Sequence, residues 1–143
     1  MLKGIDPVLS GELLKILDEM GHADELALVD RNYPAAASGR PVVRLGEITV
    51  TRAARAILSV FPLDSFVTHP LARMEVDNDP VKLAHGQKEV LEVARSAFDP
   101  GLEFEVVRRL DFYERVRRSY AVVHTLDDRP YGCFILTKGV VFS

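Results

Sequence analysis

The chain has 143 residues, 48% hydrophobic and 27% charged, with a formal net charge of −3. That length predicts one domain over residues 1–143 with a sizeable core, and the charge gives no electrostatic reason to expect nucleic acid or an anionic membrane as partner. The single cysteine, Cys133, cannot close an internal disulfide and suits a reducing cytoplasm. Met1 to Pro7 carries no apolar run of signal-peptide length, and no stretch approaches the roughly 20 apolar residues that span a bilayer. The expectation is a soluble cytoplasmic protein.

In chain order, Ser10 is a helix N-cap, with Leu13, Leu14, Leu17 and Met20 on one face of the helix that follows. Gly21 stands where a helix C-terminus wants a residue tolerant of positive φ. Glu25 to Val29 predicts a short strand ending at Asp30, and Arg31 to Pro41 a loop. Val42 to Leu45 reads as a strand, and Thr51 to Phe61 as a helix with Ala54, Ile57 and Leu58 inward. A further strand is expected between Ser65 and Val76. A second strong helix is predicted from Asp79, with Pro80 at its first position, towards Phe98, carrying Leu83, Val90, Leu91 and Ala94 inward. Gly86 interrupts its middle. Phe104 to Val107 is strand-like, and Asp111 with Glu114 resembles a capping box for a helix near Tyr113 to Arg118. Tyr120 to His124 and Cys133 to Leu136 are β-rich; they either form a hairpin across Asp127-Asp128-Arg129-Pro130 or lie apart. Alternating elements predict an α/β fold, a three-layer α/β/α sandwich whose sheet is mixed but mostly parallel.

Phosphate-loop, dinucleotide, paired-cysteine, H-E-x-x-H and G-x-S-x-G motifs are all missing. His22, His69, His85 and His124 lack metal-ligand spacing, so neither metal nor cofactor is expected. Two segments remain. In Met20-Gly21-His22-Ala23-Asp24-Glu25, His22 either meets the negative end of the preceding helix or offers its imidazole to a ligand. Asp30, at a strand's end, either caps the next loop or binds a ligand. In the last third, Arg109, Tyr113, Tyr120 and Tyr131-Gly132-Cys133 stand out. The plainer reading makes Arg108, Arg109, Arg115, Arg117 and Arg118 a solvated basic face, Tyr120 a core residue with a hydrogen-bonded tip, and Tyr131 a turn aromatic.

The order and spacing of several segments carry a resemblance that bears on these readings. Met1-Leu2-Lys3 through Glu12-Leu13-Leu14-Lys15, then Glu19 to Glu25, Asp30, Phe112-Tyr113-Glu114-Arg115, Tyr131 to Leu136 and Lys138-Gly139-Val140 resemble the family of L-fucose mutarotase and D-ribose pyranase. The N-terminus and the Arg109/Tyr113 region look more like the mutarotase branch. By position, the resemblance implies that His22 is the catalytic proton donor. It makes Asp30, Arg109, Tyr131, Gly132 and Cys133 sugar-binding, with Tyr113 and Tyr120 as further candidates. Cys133 departs from the family's usual asparagine, replacing an amide by a weakly hydrogen-bonding thiol. The resemblance also implies a ring-like homo-oligomer, such as a decamer, with sites at subunit interfaces.

The chemistry fits these residue types. Mutarotation needs an acid at the ring oxygen and a base at the anomeric hydroxyl, and imidazole is suited to either transfer near neutral pH. The base is left open among Asp30, Tyr120 and a bound water. His22 and Asp30 are eight positions apart, roughly 26 Å of extended chain, so they share a site only if residues 22 to 25 curl back or a neighbouring subunit contributes. A non-catalytic monosaccharide-binding protein accessory to sugar transport is the alternative function, and an interaction module without sugar binding is a third.

Overall fold

Apolar side chains occupy both faces of the central strands, which requires a covering layer on each side. The computed structural model describes residues 1–142. Its elements are α1 (Gly11–Glu19), β1 (Glu25–Val29), a 3-10 turn (Ala36–Ser38), β2 (Val42–Gly46), α2 (Val50–Leu58), β3 (Leu71–Met74), α3 (His85–Ala97), β4 (Glu105–Val107), α4 (Arg109–Arg117), β5 (Ala121–Thr125) and β6 (Phe134–Thr137). The six strands form one sheet in the order β2-β5-β1-β6-β3-β4. β1, β2 and β5 are mutually parallel, as are β3 and β4, and β6 runs antiparallel to both β1 and β3. Five strands therefore share one direction, in agreement with the mostly parallel, mixed sheet expected.

Strand alternation divides the core in two. Leu26, Leu28, Ala121, Val123, Phe134 and Leu136 face α1, α2 and α3 and pack on Leu13, Leu17, Ile57 and Val90. Ala27, Val29, Val122, Cys133 and Ile135 face the other way, onto Tyr33 and onto Phe112 and Val116 of α4. The α/β/α sandwich is thus closed by three helices on one face and by α4 with the loop at Tyr33 on the other. No helix among the described residues is long and apolar enough to cross a membrane.

Several boundaries differ from expectation for local reasons. Gly21 does not take the left-handed conformation; Ala23 does, at φ 73°. The helix ends at Met20, and a turn closed by the Asp24 N–H to the Gly21 carbonyl (3.1 Å) leads into β1. Asp79 caps no helix. It accepts from the Val81 N–H at 2.9 Å, while Arg73 holds the Pro80 carbonyl at 2.9 Å, and α3 starts only after Ala84. Gly86 therefore sits in the first turn of α3. α4 begins at Arg109, with Asp111 in its first turn rather than at its cap, and Glu114 pairs with Arg117. β5 and β6 are not a hairpin, because β1 lies between them.

Candidate active site

The candidate residues divide between the two ends of the sheet. Asp30 follows the last residue of β1, Arg109 follows β4 and opens α4, and Tyr131, Gly132 and Cys133 immediately precede the antiparallel β6. All five therefore lie at the C-terminal end of the parallel strands, where open α/β sheets bind ligands. His22 and Tyr120 precede β1 and β5 and lie at the opposite end.

Asp30 is only 5% exposed and is held by the backbone. Its Oδ1 accepts from the Asn32 N–H and its Oδ2 from the Gly132 N–H, both at 3.0 Å, with the Cys133 Sγ 3.6 Å from Oδ2. Burial pushes its carboxyl above the ordinary aspartate range, against the pull of these donors. Burial likewise pushes the Cys133 thiol well up, with the neighbouring carboxylate adding to the effect, so the thiol stays protonated and donates to Asp30. A side chain on Gly132 would begin 3.4 Å from the Asp30 Cβ and from both Val50 methyls, which is the close approach that brings its N–H to the carboxylate.

Tyr131 takes a positive φ of 61°. Two contacts hold it there: Gln87 Nε2 donates to its carbonyl at 2.9 Å, and its hydroxyl donates to Asp77 Oδ1 at 2.8 Å. Gln87 is fully buried; it also donates to the Met74 carbonyl and accepts from the Ala84 N–H and from Arg73. Tyr113, on α4, packs edge-on against Tyr33 with ring centroids 5.4 Å apart. Tyr33 is itself buried in the cluster containing Cys133. Arg109 is exposed, whereas Arg115 is not part of a solvated basic face. Its guanidinium binds Glu25 at 2.5 Å and Glu105 at 3.0 Å, tying α4 to β1 and β4.

At the other end His22 is half exposed. Its Nε2 lies 3.1 Å from Asp64 Oδ1, whose side chain is 2% exposed, and its ring is tilted against Phe66 at 5.4 Å between centroids. Asp64 also accepts from the Phe66 N–H at 3.0 Å. The carboxylate thus orients the imidazole. Tyr120 shares a surface groove of about 710 Å³ with Glu19, Ala23 and Asp24, and its hydroxyl lies 3.5 Å from Glu19 Oε2.

The turn at Gly21–Asp24 does not fold back towards Asp30. The Ala23 N–H donates to the Lys138 carbonyl and the Lys138 N–H to the Asp24 carbonyl, both at 2.8 Å, so this segment extends the β1–β6 pairing. The five residues of β1 alone, at about 3.3 Å each, span roughly 16 Å. Within one chain, His22 and Asp30 are not brought together.

Asp64, Phe66, Tyr33, Gln87 and Asp77 did not stand out in the sequence. Asp64-Ser65-Phe66 has the signature of an Asx turn, but nothing local points to a histidine 42 positions away. Among the described residues no group of three His, Cys, Asp or Glu side chains could hold a metal ion.

Residues 3–141 match the RbsD / FucU transport protein family. A Glaesserella parasuis serovar 5 protein named L-fucose mutarotase is 42% identical over 141 residues, spanning 98% of this chain and 96% of its own. A protein of the same name from Histophilus somni strain 2336 is 40% identical over 141 residues, spanning 98% and 97%. The crystal structure of the Streptococcus pneumoniae fucose mutarotase in complex with L-fucose matches at a TM-score of 0.88 and 34% identity, covering 99% of this chain and all of that one. Nearly every residue takes part in these matches, and together they establish that the chain belongs to the RbsD / FucU transport protein family.

Proposed function

We propose that this protein is a sugar mutarotase acting in the cytoplasm. It interconverts the α and β anomers of free L-fucose without a cofactor and exchanges the ring forms of ribose more slowly. The reading rests on one observation above others: a solvent-reachable imidazole, His22, is oriented by the buried Asp64 carboxylate in a chain similar throughout to proteins named L-fucose mutarotase.

In its imidazolium form His22 gives the Nδ1 proton to the ring oxygen, leaving the neutral Nε2–H imidazole on Asp64, while a base takes the proton of the anomeric hydroxyl. The bond between the anomeric carbon and the ring oxygen breaks, leaving an open-chain aldehyde. Rotation next to the aldehyde and the reverse proton transfers close the ring with the other configuration. With Asp64 accepting from Nε2, the imidazole's Nδ1 side is the one that exchanges the proton with sugar. Asp30, Tyr120 and a bound water are all chemically able to act as the base. Arg109 positions hydroxyls through its planar fork, and Tyr113 and Tyr131 offer ring faces to the sugar.

The separation of His22 from Asp30 supports a site completed by a second copy of the chain, the His22 end of one subunit facing the Asp30 end of the next. Exposed apolar residues around the His22 end support the same arrangement: Phe66 is 67% exposed, Val141 75% and Phe142 71%. Repeated head-to-tail contacts of this kind form a ring when the rotation between copies closes.

The family's description as transport proteins favours one competing reading, a monosaccharide binder without turnover. Saturation-transfer NMR between the anomeric protons of L-fucose, run beside D-ribose at equal protein concentration, separates them. The expected result is accelerated exchange, faster for L-fucose. A binder would perturb the sugar resonances without speeding exchange, and a clear preference for ribose would refute the assignment to L-fucose.

A further inference from the structure

We propose that Lys138 and Gly139 are positioning residues for the His22–Asp64 pair, acting on His22 through the end of α1 and on Asp64 through backbone packing. The inference rests on His22 being the proton donor of the proposed mutarotase.

Lys138 acts on the His22 side. Helix α1 ends with carbonyls that have no partner inside the helix, and it carries no basic residue in its last turn. Lys138 Nζ supplies the missing charge from outside, donating to the carbonyls of Leu17 (2.5 Å) and Met20, with Asp18 at 3.4 Å. A cation at this helix end is favourable, and it fixes the residue two positions before His22. The Lys138 backbone then takes both sides of Ala23–Asp24, as the extended pairing with β1 requires. His22 is therefore gripped before and after by one residue.

Gly139 acts on the Asp64 side. The Gly139 N–H donates to the Pro62 carbonyl at 2.8 Å, and the Asp64 N–H to the Thr137 carbonyl at 3.0 Å, with Leu63 and Lys138 bridged antiparallel between them. The two segments lie so close that a Cβ on Gly139 would stand 2.5 Å from the Leu63 carbonyl oxygen and 2.7 Å from the Asp64 Cα. Both neighbours are backbone and cannot turn aside, so only glycine allows this contact. Asp64 is set by it at 3.1 Å from His22. Two adjacent residues thus fix both members of a pair that lies 42 positions apart in sequence.

The test compares Lys138→Met, which keeps the stem but removes the donors, with Lys138→Arg, which restores them, and with Gly139→Ala. Two quantities are read: the kinetic constants for anomer exchange, and the His22 tautomer from long-range 1H–15N NMR. In Lys138→Met, kcat is expected to fall at least about tenfold with KM within about twofold, and His22 to lose the single Nε2–H tautomer that Asp64 selects. Lys138→Arg should recover most of both, and Gly139→Ala should behave as Lys138→Met; if it does not fold, the lysine pair decides alone. An unchanged tautomer in Lys138→Met, or an arginine variant as impaired as the methionine one, overturns the proposal. Should the unaltered protein fail to exchange anomers, the mutarotase reading falls, and the tautomer measurement still decides whether Lys138 and Gly139 set the pair.

Discussion

His22 is the proposed proton donor, and its ring is held on one side by Asp64 and Phe66 and is open to solvent on the other. His22→Ala is expected to lose catalysed anomer exchange by a factor on the order of 10²–10⁴, with circular dichroism and oligomeric size unchanged. Near-normal exchange in a folded variant would remove His22 from the mechanism. Asp30 is a different kind of carboxylate, walled in by the N–H groups of Asn32 and Gly132 and by the Cys133 thiol. Cys133 accordingly points inward, which gives the departure from asparagine a concrete meaning: the thiol serves the carboxylate. Cys133→Asn is expected to unfold at a lower temperature, because a larger amide must enter a fully packed space, at a cost of about 1–3 kcal/mol. Scanning calorimetry checks this, and an equal or higher melting temperature would contradict it.

At the scale of elements, periodic helices were the most legible. Ser10 caps α1 through its side chain to the Leu13 N–H at 3.2 Å, and the apolar spacing of α1 and α2 matches the faces they bury. α3 runs to its cap at Phe98 with Val90, Leu91 and Ala94 buried as expected, but it starts later because Asp79-Pro80 only looks like a helix start and the buried Arg73 guanidinium diverts that segment into a loop. The fate of Asp127-Asp128-Arg129-Pro130 was illegible for a related reason. A polar turn between two β segments suggests a hairpin, yet Asp127 caps α2 instead, its Oδ2 accepting from the Val50 N–H (2.9 Å) and from Arg129 (2.8 Å). Burial pushes the Asp127 carboxyl up, but the Arg129 guanidinium with the Arg129 and Val50 N–H groups outweighs it and holds it below the ordinary range. The native state therefore binds fewer protons than the unfolded chain near this titration, so the stabilisation is complete above about pH 3.9 and is lost as pH falls through the depressed value. Asp127→Asn should cost about 1.5–3 kcal/mol at neutral pH. In urea titrations its deficit against the unaltered protein should shrink near about pH 3; an equal deficit at both pH values would contradict the cap.

For the whole molecule, the class of fold was readable and the strand order was not, since alternation reports faces and says nothing about neighbours. The same holds for the candidate site: His22, Asp30, Arg109 and Tyr131 could be named from the chain, Asp64 could not, and the end of the sheet each one occupies follows only from topology. With His22 and Asp30 at opposite ends, the active species is expected to be an oligomer larger than a dimer, which light scattering measures directly; a fully active monomer at micromolar concentration would rule out the shared site. The sheet order has one more consequence. β5 and β6 come last in the chain yet fill positions inside the sheet, β5 between β2 and β1 and β6 between β1 and β3. On the ribosome, β1 and β3 emerge with their edges open and wait for strands translated later. Until residues 134–137 arrive, the nascent chain carries unpaired, strongly apolar strand edges, the form in which polypeptides aggregate most readily. The last strand to be made begins beside Asp30 and runs to the Lys138–Gly139 grip on His22, so both halves of the proposed site come into being in the same closing step of folding.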